Sequence, residues 1–149
     1  MYKRQEDAEK ASPVNVEVIP FNAGDSVIRP DEEIGETGKT YGETYLNAKA
    51  QAWGIKAQLL YNTYRFVVMG EDIEPREMLS IDIADDNAFN KLKKELKSPI
   101  WIKSATNSKK KVESKKDTEK RIGQPSGNIA DAFIMVDAPY EIDKKPMFF

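Results

Sequence analysis

Asp131 places a carboxylate at the start of the most apolar helix that the sequence predicts. Pro125 and Gly127 interrupt the structure before it. Asn128 is a candidate N-cap, so Asp131 falls in the first turn, where the helix dipole favours a negative charge. Residues 132–136 are apolar almost all round and predict a helix packed on several sides. A carboxylate in this position either caps the helix or binds a metal in a cleft, and the sequence leaves both roles open.

The composition limits any metal chemistry to oxygen ligands. The 149 residues include no cysteine and no histidine, which excludes disulfides, thiolate metal sites and catalysis by a histidine base. A metal held by oxygen atoms points to Mg²⁺ or Mn²⁺. No apolar run approaches the length of a membrane span and the first residues do not form a signal peptide, so we expect an intracellular protein.

A basic segment leads directly to the Asp131 region. Residues 109–121 carry seven bases and three acids, a local balance of +4 in a chain whose formal charge is -2. Such a run either forms a solvated surface or contacts a phosphate backbone. The candidate DNA-binding residues are Lys109, Lys110, Lys111, Lys115, Lys116, Lys120 and Arg121.

The segment Gly35–Thr40 resembles a phosphate-binding loop only in part. The complete motif needs a glycine at position 33, which is Glu33, and a buried strand before it. The acidic residues 31–33 do not form such a strand. We therefore interpret this segment as a loop and not as a nucleotide site.

Strands and helices alternate along the chain, which predicts an α/β or α+β domain. Residues 14–21 alternate as a strand, and Thr44–Met69 carries an apolar stripe at helical spacing, with Thr44 as its cap and Gly70 as its end. We expect one domain over 1–149, with 1–12 and 139–149 flexible. The remaining predicted elements are a strand or extended segment at 78–83, a helix at 87–96, a β pair at 99–103 and 111–114, a polar helical turn at 117–122 and the helix at 128–136.

Four segments together resemble the C-terminal nuclease domain of the large terminase subunit of tailed phages and prophages. The resemblance extends from about residue 14 to 136, and the last segment is the most specific. The segments are Tyr45–Trp53, Ser80–Asp82, Val112–Asp117 and Lys120–Ala132.

The resemblance implies a partial RNase H-like (RuvC-like) fold, with a mixed sheet flanked by helices. It also implies metal-dependent endonucleolytic cleavage of concatemeric double-stranded DNA during genome packaging. Two Mg²⁺ or Mn²⁺ ions would activate water and stabilise the leaving 3′ oxygen. The small terminase and the portal protein would be the partners, and the host bacterial cytoplasm the location.

The same resemblance implies that Asp131 is the catalytic metal ligand of the last helix and that Asn128 flanks it as a second ligand. Asn128 departs from the family pattern, because an amide is a weaker ligand than a carboxylate. The family's other essential acids and its ATPase motor would lie upstream of this chain. The alternative is therefore a catalytically inactive prophage remnant that binds DNA or a packaging protein.

Overall fold

The computed structural model describes residues 20–35, 37–125, 127–136 and 138–139. The chain divides into two compact units, and Asn22–Pro139 contains nearly all the described residues. The predicted strand at 14–21, apart from its last two residues, lies outside the described part of the chain. The predicted flexible ends also lie outside it, apart from Pro139. The single domain over 1–149 stays a prediction.

Five α-helices and a two-stranded sheet make up the described fold. The short strands β1 and β2 pair antiparallel, with Trp101 opposite Val112 and Lys103 opposite Lys110. This confirms the predicted β pair, but the described residues contain no mixed sheet. In chain order the elements are α1 (Tyr41–Thr44), α2 (Ala48–Tyr64), a π-helical turn (Arg65–Met69), a 3₁₀ turn (Pro75–Glu77), α3 (Asp86–Lys97), β1 (Trp101–Lys103), β2 (Lys110–Val112), α4 (Lys115–Ile122) and α5 (Asn128–Val136).

The predicted long helix begins later than expected. Thr40 and Glu43 form a capping box that starts the separate helix α1, and the chain is extended at Tyr45. The side chain of Asn47 then accepts the Ala50 N–H and caps α2. The predicted Thr44 cap is wrong, because Thr44 lies inside α1 while Asn47 has both the side chain and the extended backbone that a cap needs.

The end of this helical segment is as predicted. After α2 the chain continues through the π turn to Gly70, whose left-handed backbone (φ 70°) ends it. Gly54 has a packing role in the middle of α2. A Cβ added there would lie 2.1 Å from the Tyr45 hydroxyl oxygen, so glycine allows the Tyr45 ring to pack against the helix.

The predicted apolar stripe of α2 is confirmed only in its first half. Ala50 and Trp53 are buried where α2 packs on β2 and α5. Ala57 is exposed, and Tyr64 and Val67 are 51% and 70% exposed, which contradicts the prediction. Periodicity identified an apolar side, but Tyr64 and Val67 at its end are left exposed.

The segment at 78–83 forms neither a helix nor a strand in the described part of the chain. It is held to α2 by side chains. Asn62 donates to the Glu77 carbonyl at 3.0 Å, and the Thr63 hydroxyl bonds to both the N–H and the carbonyl of Leu79, at 2.9 and 2.8 Å. These bonds satisfy backbone groups that a sheet would otherwise satisfy.

Helices α3, α4 and α5 form where the sequence predicts them, but α5 is less buried than expected. Ala130 and Ile134 face the interior, whereas Val136 is 78% exposed. The predicted packing of α5 on several sides is therefore wrong. Of the two tryptophans, Trp53 is buried and Trp101 is 44% exposed. None of the described helices is both long and apolar enough to cross a membrane.

Candidate functional site

Asp131 lies in a small cleft where α2, α3, α4 and α5 meet. Its side chain is 26% exposed, so the carboxylate is neither sealed in the interior nor fully open to solvent. Two further acids, Glu95 from α3 and Glu113 from the end of β2, line the same space. We call it the acid cleft. Its lining residues are Lys49, Trp53, Glu95, Pro99, Glu113, Lys115, Thr118, Gly127, Ala130 and Asp131.

The two predicted metal ligands point at the same positive charge. Lys115 Nζ lies 2.7 Å from Asp131 Oδ2 and donates to Asn128 Oδ1 at 2.9 Å. Lys49 Nζ is 4.0 Å from the other Asp131 oxygen. The spacing of three residues on one helix brings Asp131 and Asn128 to one side of the first turn, where their oxygen atoms converge on an ammonium group.

The first turn of α5 is capped from another helix. Asn128 is the first helical residue, so its predicted role as N-cap is wrong. Glu95 Oε2 instead accepts the N–H groups of Ile129 and Ala130, at 2.8 and 3.0 Å. Gly127 leaves the space for this approach, since a Cβ there would lie 1.9 Å from the Glu95 carboxyl group.

Glu113 belongs to a buried hydrogen-bond network. Thr118 donates to it at 2.9 Å, and Arg121 donates through Nε at 3.1 Å and through Nη2 at 2.7 Å. The Arg121 hydrogen bond is the main cause that holds the pKa of Glu113 below its ordinary value. Burial opposes the shift and Thr118 adds to it. Glu113 in turn raises the pKa of Arg121.

Arg121 therefore has partners within the protein, and it also donates to the Ser98 carbonyl. It ties α4 to β2 and to the end of α3. Its predicted contact with DNA is untested and stays a prediction, but the guanidinium already serves the fold.

The other predicted DNA-binding residues lie on β2 and α4 or directly beside β2 in the chain. Lys110, Lys115, Lys116 and Lys120 are exposed, and Lys109 and Lys111 are partly exposed. The register adds Lys103, which lies directly opposite Lys110 on the exposed hairpin. Like charges in cross-strand positions repel each other, so this pair attracts an anion. Sequence reasoning missed Lys103 because it is separated from the basic run, and only the hairpin register could have revealed it.

For a metal, the acid cleft offers the Asp131 carboxylate and the Asn128 amide, whose oxygen atoms contact the Lys115 ammonium group in this structure. Glu95 is bound to the helix amides and Glu113 to Arg121 and Thr118, so neither is available as it stands. No group of three or more acids in the described part of the chain is arranged to hold a metal ion. Asp131 and Asn128 fit part of an oxygen-ligand set, and the described residues do not complete it.

Comparison with solved structures places this fold among nuclease domains. One match is the "nuclease domain of the large terminase subunit gp2 of bacterial virus Sf6", with 31% identity and a TM-score of 0.79 over 92% of this chain. A second is a lysine-to-alanine mutant of that domain with manganese and beta-thujaplicinol, with 30% identity and a TM-score of 0.80 over 92% of this chain. Another form of the mutant, with calcium, matches at 30% identity and a TM-score of 0.76 over 89% of this chain.

These matches confirm the resemblance that the sequence predicted. The fold is that of a nuclease domain, and the chain is similar to the nuclease domain of a phage large terminase subunit. The chain spans about three fifths of the length of these structures: 60% of the first two and 57% of the third. No family model and no curated protein matches the sequence.

Proposed function

We propose that this chain is part of the RNase H-like nuclease domain of a phage terminase large subunit. Its activity would be metal-dependent endonucleolytic cleavage of concatemeric DNA during packaging. The observation that carries the proposal is the convergence of Asp131 Oδ2 and Asn128 Oδ1 on one cation in a fold that matches terminase nuclease domains. The single domain over 1–149 and a location in the host bacterial cytoplasm belong to the same proposal.

Asp131 is the catalytic ligand in this proposal and Asn128 is its weaker neighbour. Mg²⁺ or Mn²⁺ ions, when bound, supply an activated water and stabilise the charge on the leaving oxygen. Two of the matched nuclease-domain structures contain manganese or calcium, which supports a divalent ion here. Lys115 and Lys49 neutralise Asp131 in the described structure, and they become free to bind phosphate once another cation replaces them.

Double-stranded DNA is the proposed substrate. The surface formed by Lys103 and the lysines of 109–120 lies on the hairpin and helix that lead to the acid cleft, so DNA bound there would approach Asp131. Contacts to phosphate oxygens give affinity without base specificity. The small terminase and the portal protein are the proposed protein partners.

Cleavage of supercoiled plasmid DNA in the presence of Mg²⁺ or Mn²⁺ tests the enzymatic proposal. In a terminase large subunit that contains this chain, we expect nicking of the plasmid and a rate about 100-fold or more lower for Asp131→Ala, since a metal ligand matters at least as much as its supporting residues. Asp72→Ala, which removes an exposed acid outside the cleft, should cut like the unaltered chain. If Asp131→Ala nicks at the unaltered rate, Asp131 is not a ligand.

The second candidate function is DNA or packaging-protein binding without cleavage, as in an inactive prophage remnant. It is favoured by the commitment of Glu95 and Glu113 to other partners. The same preparation distinguishes the two functions. Salt-dependent DNA binding without nicking supports the binding role, and nicking by the chain removes it.

The binding arm of this experiment also tests the hairpin surface. Replacing both Lys103 and Lys110 by alanine should reduce the slope of log K against log salt by about 2, which is roughly 0.9 for each lost phosphate contact. Lys39→Ala, at an exposed lysine in the loop before α1, is the matched control and should leave the slope unchanged.

A further inference from the structure

We propose that Glu95 is the positioning residue of Asp131. Its carboxylate caps α5 from the neighbouring helix α3 and so determines where the Asp131 side chain enters the acid cleft. The inference rests on the proposed function of Asp131 as a metal ligand. Glu95 itself contacts backbone amides and not the reacting groups.

The first turn of any helix has N–H groups without partners inside the helix, and a capping side chain normally accepts one or two of them. Gly127, the residue immediately before α5, has no side chain that could do this. Glu95 Oε2 takes over the task for Ile129 and Ala130 at normal hydrogen-bond distances of 2.8 and 3.0 Å. The cap is charged, which makes these bonds stronger than neutral ones.

Gly127 and Glu95 fit each other closely. A Cβ at residue 127 would lie 1.9 Å from both the carboxyl carbon and Oε2 of Glu95. Any other residue at 127 would therefore force Glu95 away from the amides. The absence of a side chain at Gly127 thus makes room for the capping carboxylate that comes from α3.

Two further contacts hold α3 in place. Leu92, one turn before Glu95, is buried, and Lys94 donates to Gln124 in the connection between α4 and α5 at 2.6 Å. Glu95 therefore projects from an element that is packed against the same connection. Since Asp131 follows the capped residue Ala130 directly, a shift of the first turn moves Asp131 relative to Lys115.

The cap also places a negative charge at the amino end of α5, where the helix dipole is positive. Glu95 and Asp131 thus share the favourable field of one helix end, but they have different partners. Glu95 binds the backbone, whereas Asp131 binds lysine ammonium groups that can be exchanged. This division explains how a second acid can line the cleft without being a metal ligand.

The test compares four variants of the full chain. Glu95→Ala removes the cap, Glu95→Gln keeps an acceptor oxygen, and Gly127→Ala displaces Glu95 without removing it. Glu74→Ala, at an exposed glutamate whose side chain has no capping bond, is the control for lost charge. Amide hydrogen exchange at Ile129 and Ala130 reports the cap, and the carboxyl carbon resonance of Asp131 reports the position of the side chain.

In Glu95→Ala and Gly127→Ala we expect at least about tenfold faster exchange at the two amides, because each loses its bond to Glu95 at a helix end. We also expect a shifted Asp131 resonance. Glu95→Gln should restore both signals and Glu74→Ala should change neither. Unchanged exchange in Glu95→Ala overturns the cap. Faster exchange with an unmoved Asp131 resonance overturns the positioning role.

Nicking kinetics with Mn²⁺, measured on a terminase large subunit that contains this chain, add a functional measure. Glu95→Ala should lower kcat about tenfold or more with little change in the KM for DNA, because the basic surface is untouched while the ligand is misplaced. An unchanged kcat contradicts the positioning role. Failure of the proposed function gives a different result, because Asp131→Ala would then nick at the unaltered rate. The Asp131 resonance and the amide exchange would still decide the role of Glu95.

Discussion

The acid cleft has a buried end and an open end, and each contains a carboxylate with a cationic partner. At the buried end, Glu113 has a side chain that is 8% exposed and receives bonds from Thr118 and Arg121. At the open end, the Asp131 side chain is 26% exposed and its partners are the ammonium groups of Lys115 and Lys49. The two acids are of similar chemistry but differ in what surrounds them.

The difference separates structural from exchangeable ion pairs. Arg121 donates to Glu113 through two nitrogen atoms in a fixed planar geometry, and this pair joins three elements of the fold. Lysine holds Asp131 as a point charge on a flexible stem, which another cation can replace. We infer that the pair of Glu113 and Arg121 maintains the shape of the cleft, whereas Asp131 at the open end can exchange its lysine partners for another cation.

The largest expected effect is on stability at the buried end. Glu113→Ala should lower the melting temperature by roughly 10 °C or more, because Thr118 loses the Glu113 acceptor and Arg121 loses its ion pair. Asp131→Ala should change it by only a few degrees, since a partly exposed pair with lysine contributes about 1 kcal/mol or less. Thermal unfolding followed by circular dichroism measures both. Equal losses for the two variants would remove the distinction between the ends.

An intermediate effect concerns acid pH. Because the pKa of folded Glu113 lies below its ordinary value of 4.5, its ionised form stabilises the fold above that value. This stability is lost as the pH falls through the lowered pKa. The difference in unfolding free energy between the unaltered chain and Glu113→Gln should therefore be constant above about pH 5 and shrink below 4.5.

Denaturant titrations from pH 3 to 7 provide this measurement. Thr118→Val, which removes the weaker of the two side-chain donors, should keep most of the pH dependence, whereas Arg121→Met should remove most of it. A difference that stays constant down to pH 3 would show that Glu113 is not held ionised by Arg121.

The smallest effect is expected at the open end. Lys49 Nζ is 4.0 Å from Asp131, and Lys49→Met keeps most of the aliphatic stem. We expect a change of less than about 0.5 kcal/mol in unfolding free energy, as for other weak ion pairs. Urea unfolding detects a larger loss, and such a loss would mean that the open end also supports the fold.

Local sequence signals predicted most of the helices. Apolar residues at helical spacing predicted α3, and the polar turn predicted at 117–122 is the last part of α4, which begins at Lys115. The apolar run after Asn128 predicted α5. These predictions succeeded because helix periodicity and capping depend on residues within one or two turns.

Predictions that depended on contacts between distant parts of the chain were less successful. Tyr64 and Val67 continue an apolar stripe, but burial depends on a covering element, which the stripe itself does not specify. Thr44 was chosen as a cap although Asn47 has that role, because both residue types can cap and only the backbone selects one. Lys56 shows the reverse case, a charged residue buried on α2 with its ammonium 4.6 Å from the Phe133 ring and its pKa lowered by burial.

The sequence by itself determined the ligand chemistry, since a chain without cysteine or histidine can offer a metal only oxygen atoms. It also determined the order of the motifs and the pairing of Asn128 with Asp131 on one helix turn. The tertiary structure decided which acids of the cleft have structural partners and which has lysine partners alongside a position for a metal ligand. Glu95 and Glu113 lie 36 and 18 residues before Asp131, and only the packing of α3, β2 and α4 against α5 commits the first to a helix cap and the second to Arg121. Hydrogen bonds between distant segments leave no local periodicity, so no reading of neighbouring residues could have assigned these roles.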